Sequence, residues 1–302
     1  MKIRFWGVRG SIPAPGPETI RYGGNTACVS IHTRAGGLVI IDMGTGLMHL
    51  GNALLGGADD AFRAGRGAAT ILLSHTHWDH IQGLGFFTPV FVAGNSFTVW
   101  GPGGSPEVLE DILEGQMDPN FSPLQTLKNF SARFDVKAAP LGVAFIAEGL
   151  TVTARPHAHG STTALAFRIT EPGEPGEPGE PGSGGAPDRT FVYASDVGQP
   201  TGAGPDPEAI ALYRGADVLL HDTTYRPADQ ATRRNRGFSS YEDAAAAAIA
   251  AGVGRLVTFH YDQDYSDDEV DEVIASCRRT LDAGGGAAIG LVPAREGDEL
   301  EI

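Results

Sequence analysis

The stretch ILLSHTHWDHIQG, residues 71–83, restricts what this chain can fold into more than any other. Ile71, Leu72 and Leu73 read as the end of a buried strand, and His75, His77, Asp79 and His80 follow within six residues. Imidazole nitrogens and carboxylate oxygens are the donors that zinc and similar divalent ions take. A lone histidine beside a strand is most often a satisfied core or surface residue. Four such donors directly after a strand are read as metal ligands, and they require a fold that brings further strand ends to the same edge.

The chain offers such ends. Residues 2–8 alternate like a half-buried strand, and 26–33 and 37–42 read as a hairpin turning at Ala35, Gly36 and Gly37. LVIID delivers Asp42 to a sheet edge. Asp196 follows the strand-like TFVYAS, His260 follows RLVTF, and His157 and His159 follow LTVTARP. The remaining histidines, His32, His49 and His221, are assigned structural roles. Helical spacing covers 45–55, and a helix over 106–114 is expected to be capped by Ser105. Residues 86–100 are aromatic and β-branched, with a turn at Gly94 and Asn95. Short strands are expected near 133–138, 143–147, 150–155, 163–170 and 190–194. The last third alternates helix and strand. Ser240 and Asp243 form a capping box for a helix over 241–251, and Ser266 caps an amphipathic helix over 266–282. Two packed sheets with helices outside, an α+β class, accommodate this pattern.

Residues 171–188 (EPGEPGEPGEPGSGGAPD) form a low-complexity insert. Proline and acidic charge are expected to keep it a disordered hairpin loop rather than a collagen-like triple helix, which four repeats cannot stabilise. The formal net charge is −15, from 22 basic and 37 acidic residues. Such a chain repels polyanions, and the one dense basic run is Arg233, Arg234 and Arg236, so nucleic acid is an unexpected partner. Cys28 and Cys277 stand far apart outside any metal or redox pair, as free thiols of a reducing compartment do. With no signal-like or membrane-spanning run, a cytoplasmic location is expected.

SHTHWDH resembles the H-x-H-x-D-H signature of the metallo-β-lactamase superfamily, and Asp42, His157/His159, Asp196 and His260 fall in that superfamily's order. The resemblance spans essentially the whole chain. It implies a single domain over 1–302 with the αβ/βα four-layer β-sandwich, helices on the outer faces, and two divalent ions at one end. Zinc is the first choice of metal, with manganese or iron as alternatives. By the same resemblance His75, His77 and His159 would bind one ion, with His157 as the alternative to His159. Asp79, His80 and His260 would bind the other, and Asp196 would bridge them. Asp79 and Asp196 are the expected catalytic carboxylates, and Asp42 would orient ligand histidines. The implied chemistry is hydrolysis by a hydroxide shared between two cations.

FWGVRGSIPAPGPETIRYGGNT resembles the phosphodiesterase branch of the superfamily, which includes ribonuclease Z and cyclic phosphodiesterases. That branch is often dimeric. The likeness puts Gly10, Ser11, Pro13, Asn25 and Thr26 beside the metals, and HDTTY adds Asp222 and Tyr225. Ser11, Asn25, His157 and Asp222 would bind substrate or support the ligands. A small or cyclic phosphodiester is the expected substrate. The alternatives are another ester class, such as a lactone or thioester, and a non-catalytic metal- or ligand-binding module. There is one departure: where the branch carries Gly-His-Ser-Thr, this chain reads Gly237-Phe238-Ser239-Ser240. Phe238 transfers no proton, which leaves His157, His221 or Tyr225 as candidate general acids.

Overall fold

The computed structural model describes residues 1–120, 122, 124, 126–174, 186–198, 204–233 and 236–302. Most of the acidic insert, residues 175–185, and Arg234 of the basic run lie outside the described residues. The first half runs β1 (Lys2–Gly7), β2 (Cys28–His32), β3 (Leu38–Ile41), α1 (Gly46–Gly56), β4 (Ala68–Leu72), α2 (Trp78–Ile81), β5 (Ser96–Gly101), α3 (Pro106–Gly115) and β6 (Arg133–Ala138). The second half runs β7 (Ala144–Ala147), β8 (Leu150–His159), β9 (Thr162–Glu171), β10 (Arg189–Ala194), α4 (Pro207–Tyr213), β11 (Val218–Asp222), α5 (Pro227–Thr232), α6 (Tyr241–Ala251), β12 (Arg255–Phe259), α7 (Asp267–Ala283), β13 (Gly290–Pro293) and β14 (Glu299–Glu301).

These strands build two seven-stranded mixed sheets, ordered β14-β1-β2-β3-β4-β5-β6 and β13-β12-β11-β10-β9-β8-β7. Strands β3 to β6 are parallel, as are β10 to β13. The inner faces meet in one core, with Phe5, Ile31, Ile41 and Leu72 packing toward Phe167, Tyr193, Leu220 and Phe259. Helices cover each outer face over its own apolar layer. Parallel strands buried on both faces read as continuous apolar runs, which is why LVII, VLLHD and RLVTF lack alternation. Among the described residues, no helix is long and apolar enough to cross a membrane.

Local differences from the sequence reading have physical causes. Residues 84–86 and 88–91 are 3-10 turns rather than extended chain, with Pro89 inside the second, and β5 begins only at Ser96. Ser105 occupies the N-cap of α3 with no capping side-chain hydrogen bond, and Pro106 supplies the preset φ instead. The capping boxes at Ser240 and Ser266 both form. Strand β14 pairs with β1 at the sheet edge, and its three residues, Glu-Leu-Glu, carry no strand signal.

Candidate metal centre

The carboxyl ends of the parallel strands converge on one edge. Asp42 follows β3, His75 to His80 follow β4, Asp196 follows β10, Asp222 ends β11 and His260 follows β12. Loops at this edge are where open α/β sheets gather ligands. Asp42, Asp196, His260 and Ser11 have φ of 61°, 62°, 60° and 66°. Only one other described non-glycine residue, Glu148, has positive φ. Left-handed backbone costs about 1–3 kcal/mol at a non-glycine residue, so its concentration here marks a site the surrounding fold enforces.

The donors form two groups, His75 with His77 and His159, and Asp79 with His80, Asp196 and His260. Within each group the donor atoms lie within 4.8 Å of one another. His77 is the exposed member; the others are buried. Asp196 joins the groups. Its Oδ1 is 3.3 Å from His260 Nε2, 3.6 Å from His159 Nε2 and 3.9 Å from His75 Nε2, and its Oδ2 is 3.3 Å from His80 Nε2. Asp79 Oδ2 lies 3.2 Å from His260 Nε2 and 3.4 Å from His80 Nε2, and it accepts the Ser11 amide at 2.7 Å.

A surrounding layer sets the histidine tautomers. Gly237 O can only accept, so His159 donates from Nδ1 at 2.8 Å. His80 Nδ1 donates to Asp42 Oδ2 at 2.7 Å. The Ser74 hydroxyl donates to Asp42 Oδ2 at 2.8 Å, and its oxygen accepts His75 Nδ1 at 3.1 Å. The Thr224 hydroxyl donates to Asp222 and accepts His260 Nδ1 at 3.1 Å. Four imidazoles therefore turn the Nε2 lone pair toward the cluster, as outer hydrogen bonds do around metal-ligating histidines. His75 Nε2 and His80 Nε2 are buried without a hydrogen-bond partner, and buried polar atoms rarely remain unpaired. Orphaned nitrogens and carboxylates, with no thiol among them, fit divalent ions of the zinc, manganese or iron type.

The charges divide the donors into neutral imidazoles and an anionic pair that attracts cations. Burial, with His80 and His159 nearby, drives His75 well below the ordinary imidazole pKa, and burial with His159 lowers His77, so both are held neutral as ligands must be. Burial would raise Asp79 and Asp196, but their histidine neighbours more than offset it and hold both carboxyls ionised. Burial opposes charge on His80, yet Asp79, Asp196 and Asp42 raise its pKa well above the ordinary value.

Other candidate residues take different places. Both His157 and His159 lie on β8 rather than beyond it, two residues apart and so on one strand face. His159 enters the cluster. His157 contacts Ser195 O through Nε2 at 3.0 Å, and its burial pushes it down to about 4. Asn25 is not brought to the cluster. Its amide and side chain bind Glu296, and its carbonyl accepts the Val8 and Arg9 amides, so it fixes the loop. The Thr26 hydroxyl accepts the Thr45 amide and the Gln82 side chain. Asp222 accepts the Val197 and Ser239 amides behind the cluster. His221 is fully buried, and Tyr225 packs against Phe238. His32 lies on β2 and His49 on α1, both outside the cluster. Ser74, Tyr193, Thr224 and Gly237 belong to the supporting layer; each lies within a stretch singled out above, but none has a metal-ligand side chain that would mark its role.

The model of the beta-lactamase superfamily domain matches residues 39–261. Ribonuclease BN of Escherichia coli O1:K1 is 29% identical over 286 residues, covering 83% of this chain and 87% of that protein. The metallo-β-lactamase fold protein YhfI from Bacillus subtilis superposes with a TM-score of 0.67 at 19% identity, over 100% of this chain and 98% of that one. The short form of human tRNase Z gives 0.63 at 19% identity, over 100% and 99%. With the family model spanning most of its length, the chain belongs to the beta-lactamase superfamily.

Proposed function

We propose that this chain is a metal-dependent phosphodiesterase that uses two divalent ions, most simply zinc, to hydrolyse a small phosphodiester. His75, His77 and His159 would hold one ion, and Asp79, His80 and His260 the other. The observation that carries the two-ion reading is the Asp196 carboxylate, which lies within 3.9 Å of imidazoles from both groups. When bound, such ions supply Lewis acidity, making hydroxide available near neutral pH and neutralising charge on the phosphate. Asp79, fixed by the Ser11 amide, orients the attacking water, and Asp196 holds the two halves of the site in register.

The phosphodiester is favoured because the relatives named ribonuclease BN and tRNase Z act on RNA, whose scissile bond is of that type. Those names also withdraw support from excluding nucleic acid on net charge alone, so RNA belongs among the substrates assayed.

The test is metal-loaded protein assayed on bis(p-nitrophenyl) phosphate, cyclic nucleotides and a tRNA precursor, with lactones and thioesters in parallel. Phosphodiester cleavage abolished by chelation and by His77→Ala, with two metals per chain by elemental analysis, is the expected result. Cleavage of lactones or thioesters alone, or one metal per chain, sinks the reading.

A further inference from the structure

Phe238 occupies a wall of the cluster. Its ring centroid is 5.1 Å from that of His159 and 5.2 Å from that of His260, so it packs on a histidine of each donor group. The residue is only 9% exposed, and Tyr225 meets it edge-on at 5.6 Å. Its backbone is pinned on both sides. Phe238 O accepts Gln230 Nε2 at 3.1 Å, the Ser239 amide donates to Asp222 at 2.8 Å, and the Ser239 hydroxyl donates to Val197 O at 2.7 Å. Gly237 O is the acceptor that orients His159. The ring is therefore part of a braced wall.

The neighbouring groups that carry a transferable proton make contacts elsewhere. His157 faces Ser195 O, and His221 lies buried beside Asp222. The Tyr193 hydroxyl donates to Asp42, and the Thr224 hydroxyl to Asp222. Tyr225 is 1% exposed and turns its hydroxyl to Arg233. The nitrogens left without a partner, His157 Nδ1 and His221 Nε2, are buried, as are the Tyr193, Thr224 and Tyr225 side chains, so none of these described groups presents a free proton at an open surface.

We infer that the site selects phosphodiesters whose leaving oxygen departs as a stable anion, a phenolate or the phosphate of a phosphoanhydride, over those that must release an alkoxide. This rests on the phosphodiesterase reading above. In the step concerned, the water oxygen forms the new P–O bond and its proton passes to solvent. The P–O bond to the leaving group breaks with its electron pair kept on the leaving oxygen. With Phe238 at the wall, none of the described side chains named above neutralises that pair, so the rate follows the stability of the leaving anion.

The experiment is a leaving-group series on the metal-loaded protein: p-nitrophenyl, phenyl, benzyl and ethyl esters of one phosphodiester, with a phosphoanhydride diester as a separate arm. A positioned general acid is worth roughly 10²–10⁴-fold, so kcat/KM is expected to fall by at least about 10²-fold from p-nitrophenyl to ethyl. The phosphoanhydride should group with the aryl esters. In Phe238→His the ethyl-to-p-nitrophenyl ratio of kcat/KM should rise at least about tenfold, whatever the substitution does to the absolute rates. Phe238→Leu should keep the steep series. Metal binding by each variant is read independently from the fluorescence of Trp78, which is 70% exposed between His77 and Asp79. A wild-type series flat from aryl to alkyl overturns the inference and leaves the phosphodiesterase reading standing. If no phosphodiester is cleaved, the phosphodiesterase reading fails first.

Discussion

Asp42 Oδ2 lies 2.7 Å from His80 Nδ1, and the same oxygen accepts the Ser74 hydroxyl at 2.8 Å and the Tyr193 hydroxyl at 2.7 Å. Its other oxygen accepts the Ser74 amide at 2.7 Å. Every partner is a donor, so the carboxylate matches its surroundings only as an acceptor on both oxygens. Asp42→Asn must place an NH2 group against a donor on one side or the other. Metal affinity is expected to drop about 10–100-fold, the usual cost of losing a partner of a ligand histidine. Competition against a chromophoric chelator measures it. Unchanged affinity would mean that Asp42 does not hold His80.

Arg9 is fully buried and ties the N-terminal loop to the segment after β12. Its guanidinium donates to Gly23 O at 2.9 Å, Tyr265 O at 2.6 Å and Asp262 O at 3.2 Å, and it lies 3.5 Å from Asp267. Arg9→Met keeps much of the volume but leaves the three carbonyls without their donor, and takes the buried cation from Asp267, which keeps the Arg21 and Tyr22 amides. Removing one partner of a buried pair costs about 3–5 kcal/mol, so urea unfolding should show a loss of that order. A loss below about 1 kcal/mol would mean that water replaces the guanidinium.

The cluster at 75–80 is legible in the sequence because its donors are neighbours in the chain and follow an apolar strand. Asp42, Asp196 and His260 are legible because each follows a strand directly. The choice between His157 and His159 is not, since a strand puts both on one face. What singles out His159 is Gly237 O, 78 residues away. Separation in sequence also hides Thr224, 36 residues from His260, and Tyr193, 151 residues from Asp42. Asn25 has the type of a ligand-binding residue, and only the fold reveals that Glu296 occupies it. In the fold, strands with continuous apolar runs are legible and the short polar edge strand β14 is not, because pairing with β1 rather than its own side chains makes it a strand.

Burial raises the Cys277 thiol to about 12 and the Cys28 thiol well above its ordinary value. Neither should react with a thiol reagent in the native state at pH 8, and both should react on unfolding. The pH dependence has a definite sign. Below about pH 8.5 both folded and unfolded thiols are protonated, and there is no effect. Above it the unfolded chain binds fewer protons, so stability falls as pH rises, by about 1.4 kcal/mol per unit for each thiol until the folded pKa is reached. The stability difference between wild type and Cys277→Ala should therefore narrow from pH 8 to pH 10. A constant difference would show that the thiol titrates alike in both states.

Gly10 approaches His260 so closely that a Cβ built on it would lie 2.2 Å from the ring Cε1 and 2.4 Å from Nδ1. The loop cannot easily retreat, because the Gly10 amide donates to Tyr261 O at 3.0 Å and the next amide, of Ser11, donates to Asp79. In Gly10→Ala either the ring turns away from Thr224 or the Ser11 amide leaves Asp79, and both routes disturb the same donor group. Overpacking of this kind costs about 1–3 kcal/mol. The larger effect should fall on the metal: binding at least about tenfold weaker, at the low end of what lost support of a ligand costs. The rise in melting temperature on metal addition should shrink to match. Gly16→Ala is the control, since its Cβ would meet nothing within 4 Å and its backbone is extended. If Gly10→Ala binds metal as tightly as Gly16→Ala, the contact with His260 does not determine how the ligand is held.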